Sequence, residues 1–248
     1  MLEIRNLNAR YDKKPILKNI NLSFKSSSIN AILGLNGAGK STLLKAMLGI
    51  IRLDSGEILY DNKDILKQSI KNRAKLVSYM PQTWNSPFDY KVYDVLSMGL
   101  ENNINLFDRI KQHKFKILNA LEILNIVHLI DENINSLSGG QISLVLLARV
   151  IIQDTPIILL DEPTAHLDIK NQKIMLDFIK KLKNKIILIN IHEPSLALDF
   201  ANNIIALKNG NILFSKPSSN ITKMDLEAIY ESNLMLDIIN DTYFIKLL

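Results

Sequence analysis

The 248-residue chain contains no cysteine. Disulfides and thiolate metal sites are therefore excluded, and a cytosolic protein is the simplest expectation. Long hydrophobic runs are missing too: none approaches the ~18 residues needed to cross a bilayer. The opening MLEIRNLNAR lacks the apolar core of a secretory signal and reads as a strand. No internal repeat or low-complexity tract is present. Nor is there a strong charge imbalance, since Lys+Arg number 30 against Asp+Glu 25, a net +5 with pI near 9.2. A basic balance can signal nucleic acid or an anionic surface. Here the lysines are scattered, so a solvated surface is the reading and no nucleic acid is expected.

What is present is a 47% hydrophobic content, ample for a core in one large domain, with or without a modest insertion. The most informative stretch is GLNGAGKST, Gly34 to Thr42. An apolar run, Ile29 to Leu33, precedes it as a buried strand, and Leu43 to Ile50 follow with helical spacing. Strand, glycine-rich turn, Lys-Ser and helix make a phosphate-binding loop of the GxxxxGK[ST] type. Its backbone at Gly34, Asn36, Gly37, Ala38 and Gly39 can curl N–H groups toward one anion, and the helix opening near Lys40, Ser41 and Thr42 adds its positive end. Lys40 reaches the β- and γ-phosphates of a nucleotide as a point charge, and the Ser41 hydroxyl suits Mg²⁺.

Taken in order, Leu2–Tyr11 and Ile16–Phe24 alternate apolar and polar residues around a turn, a hairpin signature that places Tyr11 at the tip. An aromatic there either stacks on an adenine or is an ordinary strand-end tyrosine. Asp54-Ser55-Gly56 reads as a turn into GEILYD. Leu76 to Gln82 reads as a strand stopped by Pro81. From Tyr90 to about Ile130 the pattern is helical, with Val92, Val95, Leu96, Phe115, Leu118, Leu121 and Leu124 as its apolar positions. Ser136 to Ile152 is a turn and a helix, and Ile157 to Pro163 a fully apolar strand ending in two carboxylates. Residues 174–182 form an amphipathic helix, 186–192 a second buried strand ending at His192, and 202–214 a hairpin around Asn209-Gly210. Strands alternating with helices predict a mainly parallel sheet covered on both faces, with ligands at the carboxyl ends of its strands. Gly34, Gln82, Asp161, Glu162 and His192 all lie at such ends.

Those residue types suit phosphoryl transfer. Asp161 beside the loop suits a carboxylate holding Mg²⁺, and Glu162, pointing elsewhere, can take a proton from an attacking water. Gln82 can touch metal and water without adding charge. His192 is either a γ-phosphate contact or a structural histidine. Ser138-Gly139-Gly140 opens a helix, which makes it either a second anion site or simply a turn and N-cap.

In order and spacing, Gly34–Thr42, Gln82, Leu137-Ser138-Gly139-Gly140-Gln141, Ile157–Pro163, Ala165-His166-Leu167-Asp168 and His192 resemble the ATP-binding-cassette (ABC) ATPases over nearly the whole chain. The resemblance implies a P-loop NTPase core of mostly parallel sheet with flanking helices, an N-terminal antiparallel β subdomain, and a helical insertion carrying the LSGGQ signature. Residues 1–248 would form one domain, with 1–88 and 150–248 as the α/β core and about 89–149 as the helical part. It further implies a head-to-tail homodimer, with ATP between the Lys40 loop of one copy and Ser138, Gly139, Gly140 and Gln141 of the other. Tyr11 would stack on adenine, Ser41, Gln82 and Asp161 would serve Mg²⁺, and Glu162 would be the general base. His192 would contact the γ-phosphate, and Asp168 would link the two sites.

A lone cassette resembles the separate ATPase subunit of an importer, working with integral membrane permease subunits and, indirectly, a substrate-binding protein. Its place would be cytoplasmic, peripheral on the inner face of the membrane. PFDYKVYDVLSMG, DEPTAHLDIKNQ and a C-terminal strand pair from Leu234 to Leu248 resemble the branch serving iron(III)-siderophore, haem and cobalamin uptake. Ile142-Ser143-Leu144 depart from the polar or basic residues usual after the signature, Glu193 from the usual Asp, and Leu100 from a frequent Arg. Trp84, Phe88 and Tyr90 either receive a permease helix or pack the helical insertion. The alternatives are an importer ATPase for a metal ion or amino acid, a soluble non-transport ABC ATPase, and a non-hydrolysing partner.

Overall fold

A computed structural model describes residues 1–12, 14–100, 106–239 and 242–248. Strand β1 (Leu2–Tyr11) turns into β2 (Lys14–Phe24), and β3 (Ser28–Leu33) runs into helix α1 (Lys40–Met47). Then come β4 (Leu53–Tyr60), β5 (Lys63–Asp64), α2 (Ile70–Ala74) and β6 (Val77–Met80). Helices α3 (Val92–Ser97), α4 (Leu106–Ile123) and α5 (Gly139–Gln153) follow. The chain continues as β7 (Ile157–Asp161), α6 (Ile169–Lys181), β8 (Ile186–Asn190) and α7 (Pro194–Phe200). It closes with β9 (Asn203–Lys208), β10 (Asn211–Pro217), α8 (Lys223–Tyr230), β11 (Leu234–Ile239) and β12 (Thr242–Leu247).

The central sheet has the order β10-β9-β3-β8-β7-β6, parallel throughout except for the β9–β10 hairpin. Its middle strands β7 and β8 are buried at every position, as expected where both faces are covered. A second, antiparallel sheet has the order β2-β1-β4-β5, and β11 pairs with β12 alone.

Period-2 alternation decides which face each residue serves. Ile157, Leu159, Ile186 and Leu188 pack with α1 and the antiparallel sheet, in a core with Leu43, Leu44, Met47, Ile4 and Ile58. Their neighbours Ile158, Leu160, Ile187 and Ile189 join the opposite core, with residues of α3 to α8. One layer therefore lies on each side of a common sheet.

Two local expectations are corrected. Asp54-Ser55-Gly56 is no turn but lies inside β4, which pairs with β1 across a register shift. Gly56 has φ +96°, and a Cβ there would sit 2.5 Å from Leu7 Cα, so the strand bulges where only glycine fits. In α4, Phe115 is 71% exposed, whereas Ile117, Ala120 and Leu121, and Leu124 just past its end, are buried. The apolar face runs 117, 120, 121 and 124, a helical i, i+3, i+4, i+7 set from which residue 115 is rotated away.

Candidate active site

The phosphate loop is built where β3 ends against β9. Gly34 is pressed so close that a Cβ would lie 2.2 Å from the Leu207 carbonyl oxygen. Leu35, Asn36 and Gly37 form an exposed lip, while Ala38, Gly39 and Lys40 are buried. Gly39 precedes α1, whose first-turn N–H groups have no intrahelical partners. Lys40, only 6% exposed, folds back to donate from Nζ to the carbonyls of Gly34 (2.7 Å) and Leu35 (3.2 Å). Burial lowers its pKa from 10.5, and the nearby charges of Glu162 and Asp161 oppose that shift. A buried cation inside a ring of backbone dipoles is prepared for an anion.

Alternation explains how Asp161 meets this loop. As an odd residue of β7 it falls on the α1 face, where its Oδ1 accepts from Ser41 Oγ at 2.9 Å. The carboxylate is 2% exposed and takes two more hydrogen bonds, from Asn190 Nδ2 to Oδ1 (2.6 Å) and from Tyr79 OH to Oδ2 (3.2 Å). Neither Asn190 nor Tyr79 was marked from the sequence. The signal lay in strand parity: Tyr79 shares the face of Val77, and Asn190 that of Ile186 and Leu188. Burial first, then the Asp161 charge, push the Tyr79 pKa up, so its hydroxyl stays a donor.

Glu162 leaves the strand with φ +50°, in the left-handed region, which breaks the alternation and aims its side chain separately from Asp161. Gln82 Nε2 donates to Glu162 Oε2 at 2.5 Å, and His192 Nε2 lies 2.5 Å from Oε1. The structure thus gathers Lys40, Ser41 and Asp161 into one group and Glu162, Gln82 and His192 into another. Lys40 lies within charge range of both carboxylates. Gln82 is bonded to Glu162, not to the Ser41–Asp161 pair.

The donors at the loop are hard oxygens, the Ser41 hydroxyl and the Asp161 carboxylate. Among the described residues no cluster of three or more His, Cys, Asp or Glu forms a metal cage. One carboxylate and a hydroxyl, completed by substrate phosphates, fit the coordination habit of Mg²⁺.

The signature residues stand apart. Ser138 Oγ accepts from the Gln141 amide (3.3 Å), and Gln141 Oε1 accepts from the Ser138 amide (2.9 Å), a closed capping box at the head of α5. Ser138 and Gly139 are exposed, and among the described residues the side-chain hydrogen bonds of Ser138 and Gln141 stay within this cap. Gly139 and Gly140 lie against His166. Asp168 caps α6, bonded through both oxygens to Asn171. Tyr11 is 50% exposed beside the hairpin turn. Ile142 and Leu144 are absorbed into the core, as is the half-buried Leu100. Trp84 and Tyr90 also pack there, with the Arg149 guanidinium 5.3 Å from the indole centroid. Of the three aromatics only Phe88 is exposed, at 62%.

The family model described as ABC transporter matches residues 17–165, spanning the phosphate loop, the signature and the Asp161–Glu162 strand. This chain belongs to the ABC transporter family. As an ABC ATPase it binds and hydrolyses ATP. A Helicobacter pylori protein named "Probable iron chelatin transport ATP-binding protein" is 41% identical over 241 residues, covering 94% of each chain. A solved structure described as "An inward-facing conformation of a putative metal-chelate type ABC transporter" matches at TM-score 0.80 and 30% identity, covering 100% of this chain and 96% of that one. A dimeric ATP-binding cassette in a post-hydrolysis state, bound to ADP and Pi, matches at TM-score 0.79 and 25% identity, covering 89% of this chain and all of that one. The ABC ATPase fold matches in both sheets, antiparallel at the N-terminus and mostly parallel around the loop. Among the described residues no helix is long and apolar enough to cross a membrane.

Proposed function

We propose that this ABC ATPase acts as a head-to-tail homodimer that energises import of a metal chelate, an iron(III)-siderophore, haem or a cobalamin-type chelate. The transmembrane path would come from permease subunits on other chains, holding the ATPase at the inner face of the membrane, with a substrate-binding protein delivering the cargo. The observation that carries the dimer is the exposed signature at the head of α5, whose Ser138 and Gln141 share no side-chain hydrogen bond with the phosphate loop among the described residues. An exposed helix opening with spare N–H groups, its side chains bonded within their own cap among the described residues, suits the triphosphate of a second copy. The dimeric cassette holding ADP and Pi supports that arrangement, and the Helicobacter pylori relative and the metal-chelate transporter support the cargo.

In this reading residues 1–248 form one domain. The loop from Asn36 to Thr42 wraps the phosphates, Lys40 exchanges its two carbonyl partners for phosphate oxygens, and Tyr11 stacks on adenine. Ser41 and Asp161, with Gln82, would hold Mg²⁺, which when bound supplies charge neutralisation on the phosphates. Glu162 is the base. Both of its oxygens are engaged by Gln82 and His192, so it becomes available to a water when His192 turns to the γ-phosphate. Asp168, two residues after the His166 that lies against Gly139 and Gly140 of its own copy, carries occupancy of one site to the other.

The test is Glu162→Gln. With ATP and Mg²⁺ it should bind nucleotide, stop turning over and elute as a dimer on a sizing column. Turnover at the parent rate would remove Glu162 from the base role, and a monomer saturated with ATP would remove the composite site. Copurification of a permease, followed by uptake assays with ferric siderophores, haem and cobalamin, tests the cargo.

A further inference from the structure

Two side chains around Asp161 have no part in the roles above. Asn190 ends β8, a strand otherwise Ile-Ile-Leu-Ile, and is completely buried. Its Nδ2 donates to Asp161 Oδ1 at 2.6 Å, but its own Oδ1 has no hydrogen-bond partner among the described residues. A buried amide with an unmatched oxygen is a worse solution for the fold than an apolar residue of similar size. The contrast is Thr155, equally buried in the connection before β7, whose hydroxyl reaches both Ser78 Oγ and the Ile157 carbonyl at 2.8 Å. That polar pair knits backbone together. Asn190 instead spends its donor on a carboxylate already served by Ser41.

Tyr79 completes the arrangement from the other side. Its hydroxyl donates to Oδ2, so the two oxygens of Asp161 are held from opposite strands. Register puts Asn190 level with Asp161 on one side and with Ile32, just before the phosphate loop, on the other. The carboxylate is thus held in rotation by groups on both neighbouring strands.

We propose that Asn190 and Tyr79 are positioning residues that fix the Asp161 carboxylate for the divalent cation, and that Asn190 is present for this task at the expense of fold stability. The proposal rests on the assignment of Asp161 as a metal-holding group. Outer partners of metal-holding side chains typically change metal affinity by about 10–100-fold when removed.

The experiment compares Asn190→Leu, Tyr79→Phe and, as reference, Asp161→Asn. Binding of a fluorescent ATP analogue is titrated in EDTA and again across a Mg²⁺ series, alongside thermal melting. Asn190→Leu and Tyr79→Phe should each raise the Mg²⁺ concentration giving half of the metal-dependent binding by roughly tenfold. Affinity in EDTA should stay within about twofold, and Asn190→Leu should melt no lower than the parent, or higher by about 2–4 °C. Midpoints unmoved in both variants while Asp161→Asn shifts its own would overturn the proposal and leave the Asp161 assignment standing. A Mg²⁺ midpoint unmoved in Asp161→Asn would remove that assignment and this proposal with it. Tyr79→Phe deletes one hydroxyl and no packing volume, so it decides by the same criterion if Asn190→Leu does not fold.

Discussion

Replacing Lys40 with alanine separates what the phosphate loop does for nucleotide from what it does for the fold. Lys40 is 6% exposed, and the two carbonyl partners of its ammonium are the loop's own backbone. A charge-assisted hydrogen bond contributes roughly 1.5–3 kcal/mol when it is made to a ligand in place of water. Losing the lysine's contacts to the phosphates should therefore cost about 2–4 kcal/mol of binding, or roughly 30- to 1,000-fold in Kd. Folding should respond differently, because the variant is relieved of the cost of burying a cation while losing the two carbonyl contacts. The net change is expected within about 1 kcal/mol, roughly 2–4 °C in Tm.

The sign of the alkaline response follows from the lowered pKa. Between the folded value and 10.5 the unfolded chain holds a proton at Lys40 that the native chain has released, so parent stability rises with pH across that window. Lys40→Ala should lack this rise. Fluorescent-ATP titration with scanning calorimetry at neutral and alkaline pH reads all three quantities. An affinity within threefold of the parent in a folded variant would refute the phosphate role. A Tm lowered by ten degrees or more would show that the lysine is a structural strut instead.

Gly34→Ala should destabilise the chain by about 2–4 kcal/mol in urea unfolding and abolish ATP binding, since the new methyl would overlap the Leu207 carbonyl at 2.2 Å. A midpoint like the parent's would mean that β9 can yield at that point. Asp225 tests a stabilising group at the cap of α8. Burial opposes its charge, but hydrogen bonds from Lys216 and from the hydroxyl and amide of Thr222 outweigh it and hold the pKa below 3.8. A depressed carboxylate adds stability above its unfolded pKa and loses it as pH falls through the folded one. Asp225→Asn should therefore cost roughly 1–2 kcal/mol at neutral pH, with the gap to the parent closing in acid below 3.8. A gap independent of pH would assign the effect to shape, not charge.

Much of this architecture could be read from residue patterning. β7 and β8 are continuous apolar runs because both sheet faces are covered, and the chemistry-bearing residues terminate them as open α/β sheets require. Failures arose where tertiary contacts overrule local habit. Asp54-Ser55-Gly56 has turn composition, yet β1 recruits it as a bulged strand. Phe115 has core composition, yet the helix phase set by Ile117 and Leu121 leaves it in water. The two partners of Asp161 were hidden for another reason. Tyr79 and Asn190 carry no motif, and their role shows only when parity is counted across three neighbouring strands at once. Glu162 escapes that count, since its left-handed backbone cannot be read from the letters.

The common facing of Tyr79, Asp161 and Asn190 also restricts how the gene can change in length. One codon added within β7 would swing the aspartate off the face of α1 and seat Leu160 beside the loop, whereas one codon removed would bring Glu162 to that place. Equivalent slips in β6 or β8 would withdraw the tyrosine or the asparagine. Gains and losses of residues are thus confined to the connections before and after these strands, where they leave the facing untouched.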